Sequence, residues 1–133
     1  MPNTPNRPAR RPYELTFESR PGFLYARVAA PSINRSIKLD YLAEVFLKCA
    51  QTRCKQVLLE RDIPAMLADE ELAKTVDDVV RACEDLKIAF VNPHSTIAKQ
   101  LMRFVSDGKR RGGKFRYFRN REAAERWLLS NRN

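Results

Sequence analysis

Residues 55–60 read KQVLLE and residues 87–93 read KIAFVNP. Each stretch contains a short, unbroken apolar run, Val57–Leu59 in the first and Ile88–Val91 in the second. Runs of this length and composition are typical of strands that are covered on both faces, as in parallel sheets. Amphipathic helical patterns lie before, between and after them. We therefore predict two neighbouring strands in the middle of a sheet that helices cover.

The segment before the first helix indicates a β-hairpin. Apolar and polar residues alternate over Tyr13–Ser19, which predicts a strand with one buried face. Arg20-Pro21-Gly22 follows, and a Pro-Gly pair suits the two central positions of a tight turn. A second strand is predicted over Phe23–Ala29. Since hairpin strands are antiparallel, the sheet should be mixed.

The rest of the chain supplies helices and a fifth strand. Apolar residues at helical spacing predict four helices, whose candidate starting or capping residues are Ser36, Asp69, Ser95 or Thr96, and Asn120. Residues 107–113 are predicted to form a polar loop, and Lys114–Phe118 the fifth strand. The order β-β-α-β-α-β-α-β-α predicts an α/β fold with a mixed five-stranded sheet and about four helices.

Composition favours one globular domain with two basic segments. The chain has 133 residues and a formal net charge of +9. Residues 1–12, rich in proline and arginine, and residues 109–119 contain no acidic residue and together account for that charge. We expect residues 1–12 to be a disordered tail, because prolines and the lack of aliphatic residues prevent a packed structure. Residues 13–130 are expected to form a single domain.

Nothing in the cysteines or the short motifs indicates a metal or a cofactor. Three cysteines do not make a disulfide framework, so we interpret them as reduced and the protein as cytoplasmic. Cys49 and Cys54, both assigned to the first helix, lack the spacing of a zinc pair. Gly112-Gly113-Lys114 lacks the spacing of a phosphate-binding loop. The apolar runs are too short to span a membrane, and the N-terminus has no apolar signal region.

The order of elements, together with several local stretches, resembles the STAS superfamily in its SpoIIAA-like branch. The resemblance covers about Tyr13 to Leu129 and rests on YELTFESRPGFLYARV at 13–28, CKQVLLE at 54–60, KIAFVNP at 87–93 and FRYFRNREAAERWL at 115–128. It implies a STAS-like fold and a non-enzymatic module that regulates or binds a protein partner. In anti-sigma-factor antagonists of this superfamily, a serine after the third strand is phosphorylated. Residues 60–68 contain no Ser or Thr, and the first hydroxyl after them is Thr75. The usual phosphoserine switch should therefore be missing, while a small apolar or anionic ligand is an alternative.

A candidate binding edge follows from the strand ends. In open α/β sheets, ligands bind beyond the carboxyl ends of the strands. The candidate partner- or ligand-binding residues that follow the two central strands are Arg61, Asp62, Ile63, Met66, Leu67, His94, Ser95 and Thr96. The apolar stretch 63–67 either packs on the core or presents a patch to a partner. His94 with Ser95 or Thr96 has a plain structural interpretation too, an exposed residue before a helix cap. An enzyme using His94, the only histidine, would need a nucleophile or carboxylate beside it.

The basic segment supports a second hypothesis, the binding of a polyanion such as nucleic acid. Its candidate residues are Lys109, Arg110, Arg111, Lys114, Arg116 and Arg119. Phe115, Tyr117 and Phe118 alternate with them, and stackable rings beside cations are what single-stranded nucleic acid binding uses. The simpler interpretation is strand alternation, with the rings buried and the cations in solvent. The sequence leaves homodimer formation open.

Overall fold

A computed structural model describes residues 11–83 and 85–130. Within that part the chain forms five strands and four α-helices. They are β1 (Glu14–Arg20), β2 (Phe23–Ala29), α1 (Arg35–Thr52), β3 (Gln56–Asp62), α2 (Asp69–Ala82), β4 (Lys87–Val91), α3 (Ala98–Arg110), β5 (Lys114–Phe118) and α4 (Arg121–Leu129). A short 3₁₀ turn over Ser95–Ile97 precedes α3. The predicted order of elements is confirmed.

The sheet is mixed, with its strands side by side in chain order from β1 to β5. β1 and β2 are antiparallel, and the other three neighbouring pairs are parallel. Gly22 in the hairpin turn has a φ of +88°, the conformation that the Pro-Gly pair predicts. β3 and β4 lie at the centre with Leu58 opposite Ala89, and both residues are buried. The two segments that predicted the fold are therefore central strands.

The handedness of the connections decides which face each helix covers. Each parallel connection moves one strand onward in the same direction, and such connections are right-handed. α1, α2 and α3 therefore share one face, where the main apolar core forms. α4 follows the last strand and covers the other face, where Ala124 and Leu128 pack on Leu58 and Ala89.

Three of the predicted helix starts need correction. Asn34, not Ser36, caps α1 by accepting a hydrogen bond from the Ile37 backbone N–H at 2.8 Å. Asp69 is the first helical residue of α2, where its charge suits the positive end of the helix dipole, and it does not cap the helix. Ser95 and Thr96 lie inside the 3₁₀ turn and make no side-chain cap for α3. Asn120 caps α4 as predicted.

The predicted loop over residues 107–113 is mostly helix, because α3 continues to Arg110. Asp107 pairs with Arg110 at 2.7 Å and with Arg111 at 3.5 Å, so the charges that suggested a loop support the last helical turn. Gly108 has a packing role: a Cβ built there would lie 2.6 Å from the ring of the buried Phe115. The close contact with Phe115 of β5 explains why glycine, a poor helix former, occupies this helical position.

A substitution at Gly108 tests that packing. Gly108→Ala should lower the free energy of unfolding by about 1–2 kcal/mol, although alanine is the better helix former by about 1 kcal/mol. The reason is that the buried ring of Phe115 must move to admit the methyl group. Urea denaturation measures the effect, and a stabilised Gly108→Ala protein would contradict the account.

The structure also bears on what was expected of the N-terminal tail and of the cysteines. Residues 1–10 of the expected tail lie outside the described residues. Arg11 is described, and it pairs with Glu44 of α1 and lies over the Tyr13 ring.

Cys49 and Cys83 are buried and all three cysteines are free thiols, while Cys54 lies beyond the end of α1 and not within it. Among the described helices, none combines the length and apolar composition that a bilayer-spanning segment requires.

Candidate functional site

A chain of three charged or polar side chains joins β2, β3 and the segment after β4. The Arg27 guanidinium lies 2.5 Å from Asp62 Oδ2, and His94 Nε2 lies 2.7 Å from Asp62 Oδ1. Because a carboxylate oxygen accepts, Nε2 of His94 carries the donated proton. The backbone N–H of His94 donates to Asn92 Oδ1 at 2.6 Å, which fixes the position of the segment. Asp62 and His94, two of the eight candidate residues at this edge, are thus in direct contact.

Asp62 and His94 of this side-chain cluster line an open groove of about 400 Å³ at the same edge. Tyr13 and Ala30 are among its lining residues, from the start of β1 and the end of β2. Pro64 adds an exposed apolar surface from the loop after β3. A concave surface with apolar walls and a few convergent polar groups is the usual form of a binding site.

Arg61 does not share this surface, although it is adjacent to Asp62 in the sequence. Successive residues of a strand point to opposite faces, and β3 extends to Asp62. Arg61 therefore points into the main core and is only 1% exposed. Its guanidinium donates to the carbonyl oxygens of Ile63, at 3.1 Å, and Ala65. Arg61 holds the loop after β3 in place and is not free to contact a partner.

A second buried cation lies close to Arg61. Lys38 of α1 is 2% exposed, and its ammonium lies 4.3 Å from the centroid of the Phe104 ring. Burial lowers the pKa of Lys38, and the positive charge of Arg61 acts in the same direction. Burial alone would raise the pKa of Tyr41, but the charges of Lys38 and Arg61 outweigh it and hold that pKa below its ordinary value. Within the described residues, no carboxylate pairs with either cation, and the polar side chain that both contact is Tyr41.

The loop between β3 and α2 packs on the core. Ile63 and Leu67 are buried, while Ala65 and Met66 are half-buried against the same core cluster. Of the two interpretations of the apolar stretch 63–67, core packing therefore holds for Ile63 and Leu67. Met66 remains partly accessible, and Ser95 and Thr96 are exposed at the same edge of the sheet.

The His94–Asp62 pair lacks the third partner of a nucleophilic triad in the described residues. No hydroxyl there hydrogen-bonds the other ring nitrogen of His94, and no three His, Cys, Asp or Glu side chains converge as a metal site would require. Sequence reasoning missed Arg27 because it lies within a strand that was interpreted only as part of the hairpin. It missed Lys38 because a lysine in the first turn of a helix is ordinarily exposed.

The basic segment is less available to a polyanion than its sequence suggests. Arg110 pairs with Asp107, and Arg111 pairs with Asp77 at 2.7 Å. Phe115 is buried in the core, Tyr117 packs against it and Phe118 packs on Trp127, so the rings face inward as the simpler interpretation expected. Lys109, Lys114, Arg116 and Arg119 are exposed and have no ion pair with a described acidic residue.

Comparisons with known proteins identify the fold. No family model matches the sequence, and no curated protein matches it at the level of sequence. The crystal structure of an anti-sigma factor antagonist from Mycobacterium paratuberculosis superposes with a TM-score of 0.60 at 11% sequence identity, over 89% of this chain and 95% of that one. This chain therefore has the mixed five-stranded, four-helix α/β fold of an anti-sigma factor antagonist, and the STAS-like fold predicted from the sequence is confirmed.

Proposed function

We propose that this chain is a non-enzymatic regulatory module that binds a partner protein in the cytoplasm. The observation that carries the proposal is the open groove beside Arg27, Asp62 and His94, on a fold shared with an anti-sigma factor antagonist. The partner would contact the accessible side chains at this edge, which are the half-buried Asp62, Met66 and His94 and the exposed Ser95 and Thr96. Arg61, Ile63 and Leu67 would act indirectly by fixing the loop. Binding would favour one loop position, which is a population shift without chemistry.

Regulation by phosphorylation at the loop after β3 is not part of this proposal. Residues 60–68 contain no hydroxyl side chain, and Thr75 is fully buried with its hydroxyl donating to the Leu72 carbonyl at 2.9 Å. A kinase could not reach Thr75 without unfolding α2. The first turn of α2 carries Asp69, Glu70 and Glu71, so carboxylates and not hydroxyls follow the loop at the start of this helix. The proposed switch is therefore the presence of the partner itself.

A charged substitution at Met66 tests the surface. Met66→Asp should reduce partner binding at least tenfold, because it places a carboxylate on a half-buried apolar contact. The measurement is affinity capture with the full chain, quantified by mass spectrometry across variants. Met102→Asp is the matched control, since Met102 is 50% exposed on α3, away from this edge.

The expected result is a stoichiometric protein retained by the wild type and by Met102→Asp but lost by Met66→Asp. Thr96→Arg, at an exposed position of the same edge, should lose the same protein without any effect on the core. Loss in all three variants, or retention in both edge variants, would contradict the proposed surface.

A small apolar ligand is a second candidate, favoured by a larger groove elsewhere. It has a volume of about 630 Å³ and lies between the C-terminal ends of α1 and α2. Phe46, Cys49 and Leu86 are among its apolar walls, and this size suits a ligand of drug-like dimensions. Co-purification of a small molecule that Ala50→Trp excludes would support this candidate over a purely protein-binding module.

A further inference from the structure

The N-terminal edge of β4 and β5, remote from the proposed partner surface, contains a cleft of about 200 Å³. We call it the basic cleft, and its charged and aromatic lining residues are Lys87, Lys109, Lys114, Arg116 and Trp127. Four basic residues line it, and no acidic residue of the described part of the chain is among its walls. It draws on β4, β5, α4 and the end of α3.

Two of these cations are neighbours in the sheet. Lys87 lies directly opposite Lys114 in the parallel pairing of β4 with β5. Like charges directly opposite one another destabilise a sheet. Lys87 is directed across the Trp127 ring, 4.6 Å from its centroid, and donates to the Trp127 carbonyl at 3.1 Å. Burial also lowers the pKa of Lys87.

Not every cation of residues 109–119 lacks a carboxylate partner. Arg110 and Arg111 come from the same segment but have carboxylate partners, Asp107 and Asp77. Lys109, Lys114 and Arg116 have no such partner among the described residues, and all three line the cleft. Of the four unpaired cations in residues 109–119, three therefore line one concave place, and the fourth, Arg119, lies outside it. A nucleic acid strand would need its cations spread along a track.

We propose that the basic cleft binds the phosphate group of a small phosphate monoester whose organic part rests against Trp127. Lysine ammoniums act on phosphate as point charges. The Arg116 guanidinium lies 5.3 Å from the centroid of the Phe118 ring, and on turning into the cleft it would donate two parallel hydrogen bonds. Binding would relieve the repulsion between Lys87 and Lys114. The volume corresponds to about six or seven water molecules at roughly 30 Å³ each, which suits a phosphate with one small ring. This site is independent of the partner surface proposed above.

Trp127 is the only tryptophan of the chain, so its fluorescence reports on the cleft directly. The test titrates the full chain with phenyl phosphate at constant ionic strength, with inorganic phosphate, phenol and a short oligothymidylate as comparison probes. A saturable change is expected with phenyl phosphate and a weaker one with inorganic phosphate. Lys114→Gln and Arg116→Gln should each raise the dissociation constant about tenfold, since each removes a charge-assisted contact.

Arg110→Gln is the matched control, because it removes the same charge from the same segment outside the cleft. Its affinity for phenyl phosphate should stay within about twofold of the wild type. Equal weakening in Arg110→Gln would assign the effect to the general positive field and overturn the proposal. An absent response, an equal response to phenol, or tighter oligothymidylate binding that Arg110→Gln also weakens would overturn it too.

Discussion

Lys38→Met should raise the free energy of unfolding by about 1–3 kcal/mol at pH 7. Lys38 is 2% exposed, and no described carboxylate compensates its charge. Replacing an uncompensated buried charge with an apolar side chain of similar volume removes the desolvation penalty and preserves packing against Phe104. Urea denaturation measures this gain in stability, and the m-value should be the same for the variant and the wild type.

The same substitution should change how stability depends on pH. The pKa of Lys38 is lowered in the folded chain, whereas the unfolded chain keeps its proton up to about 10.5. Between those values the unfolded state binds more protons, so the free energy of unfolding of the wild type rises with pH. Tyr41, whose pKa is also lowered, contributes with the same sign. In Lys38→Met this rise, measured below about pH 9 where the thiols do not yet contribute, should be much smaller.

Measurements above pH 9 involve the buried thiols and should show the opposite trend. Burial raises the pKa of Cys49 to about 11 and of Cys83 to about 12, above the ordinary value of 9.0. Unfolded thiols lose their protons first, so stability falls as pH rises through that range. Lys48→Met is the control for Lys38→Met, since Lys48 lies on the same helix, half-buried, over the Phe17 ring. It should change stability by less than about 0.5 kcal/mol, and an equal effect would contradict the account of Lys38.

Arg61→Met should lower the free energy of unfolding by about 2–4 kcal/mol, opposite in sign to Lys38→Met. Arg61 donates to two loop carbonyls, and hydrogen bonds to charged groups contribute about 1.5–3 kcal/mol each. Relief of repulsion with Lys38 offsets part of that loss. The two carbonyls would be left without a donor, so the loop over residues 63–68 should also lose hydrogen-exchange protection before the core does.

The matched variant Arg61→Lys separates charge from geometry. A lysine keeps the positive charge but cannot present two donors in a planar fork to Ile63 and Ala65. It should therefore destabilise the protein nearly as much as Arg61→Met and should expose the same loop. If Arg61→Lys behaves like the wild type, the charge and not the pair of hydrogen bonds holds the loop. Because the two cations are neighbours, the changes that Lys38→Met and Arg61→Met make in the free energy of unfolding should not add in the double variant.

The candidate site was only partly predictable from the sequence. Two parallel strands that end at one edge predicted only that Arg61, Asp62 and His94 could lie near one another. The structure brings Asp62 and His94 to 2.7 Å and turns Arg61 into the core. Whether Arg61 or Asp62 would point into the main core depended on the phase of the alternation along β3. Val57, Leu58 and Leu59 are all apolar and buried, so the sequence does not show that phase. Arg27 joined the site through a diagonal contact across β2 and β3, which residue types along one strand do not reveal.

What the sequence determined by itself is the order of the elements and the central position of β3 and β4. Apolar periodicity and the Pro-Gly and Asn-Pro signals act over a few residues, so they are visible without a structure. Only the tertiary structure decided that α3 continues through Gly108, that Lys38 is buried beside Arg61, and that Lys87 lies opposite Lys114. These features depend on contacts between residues distant along the chain, and the free energy of such contacts overrides local propensity.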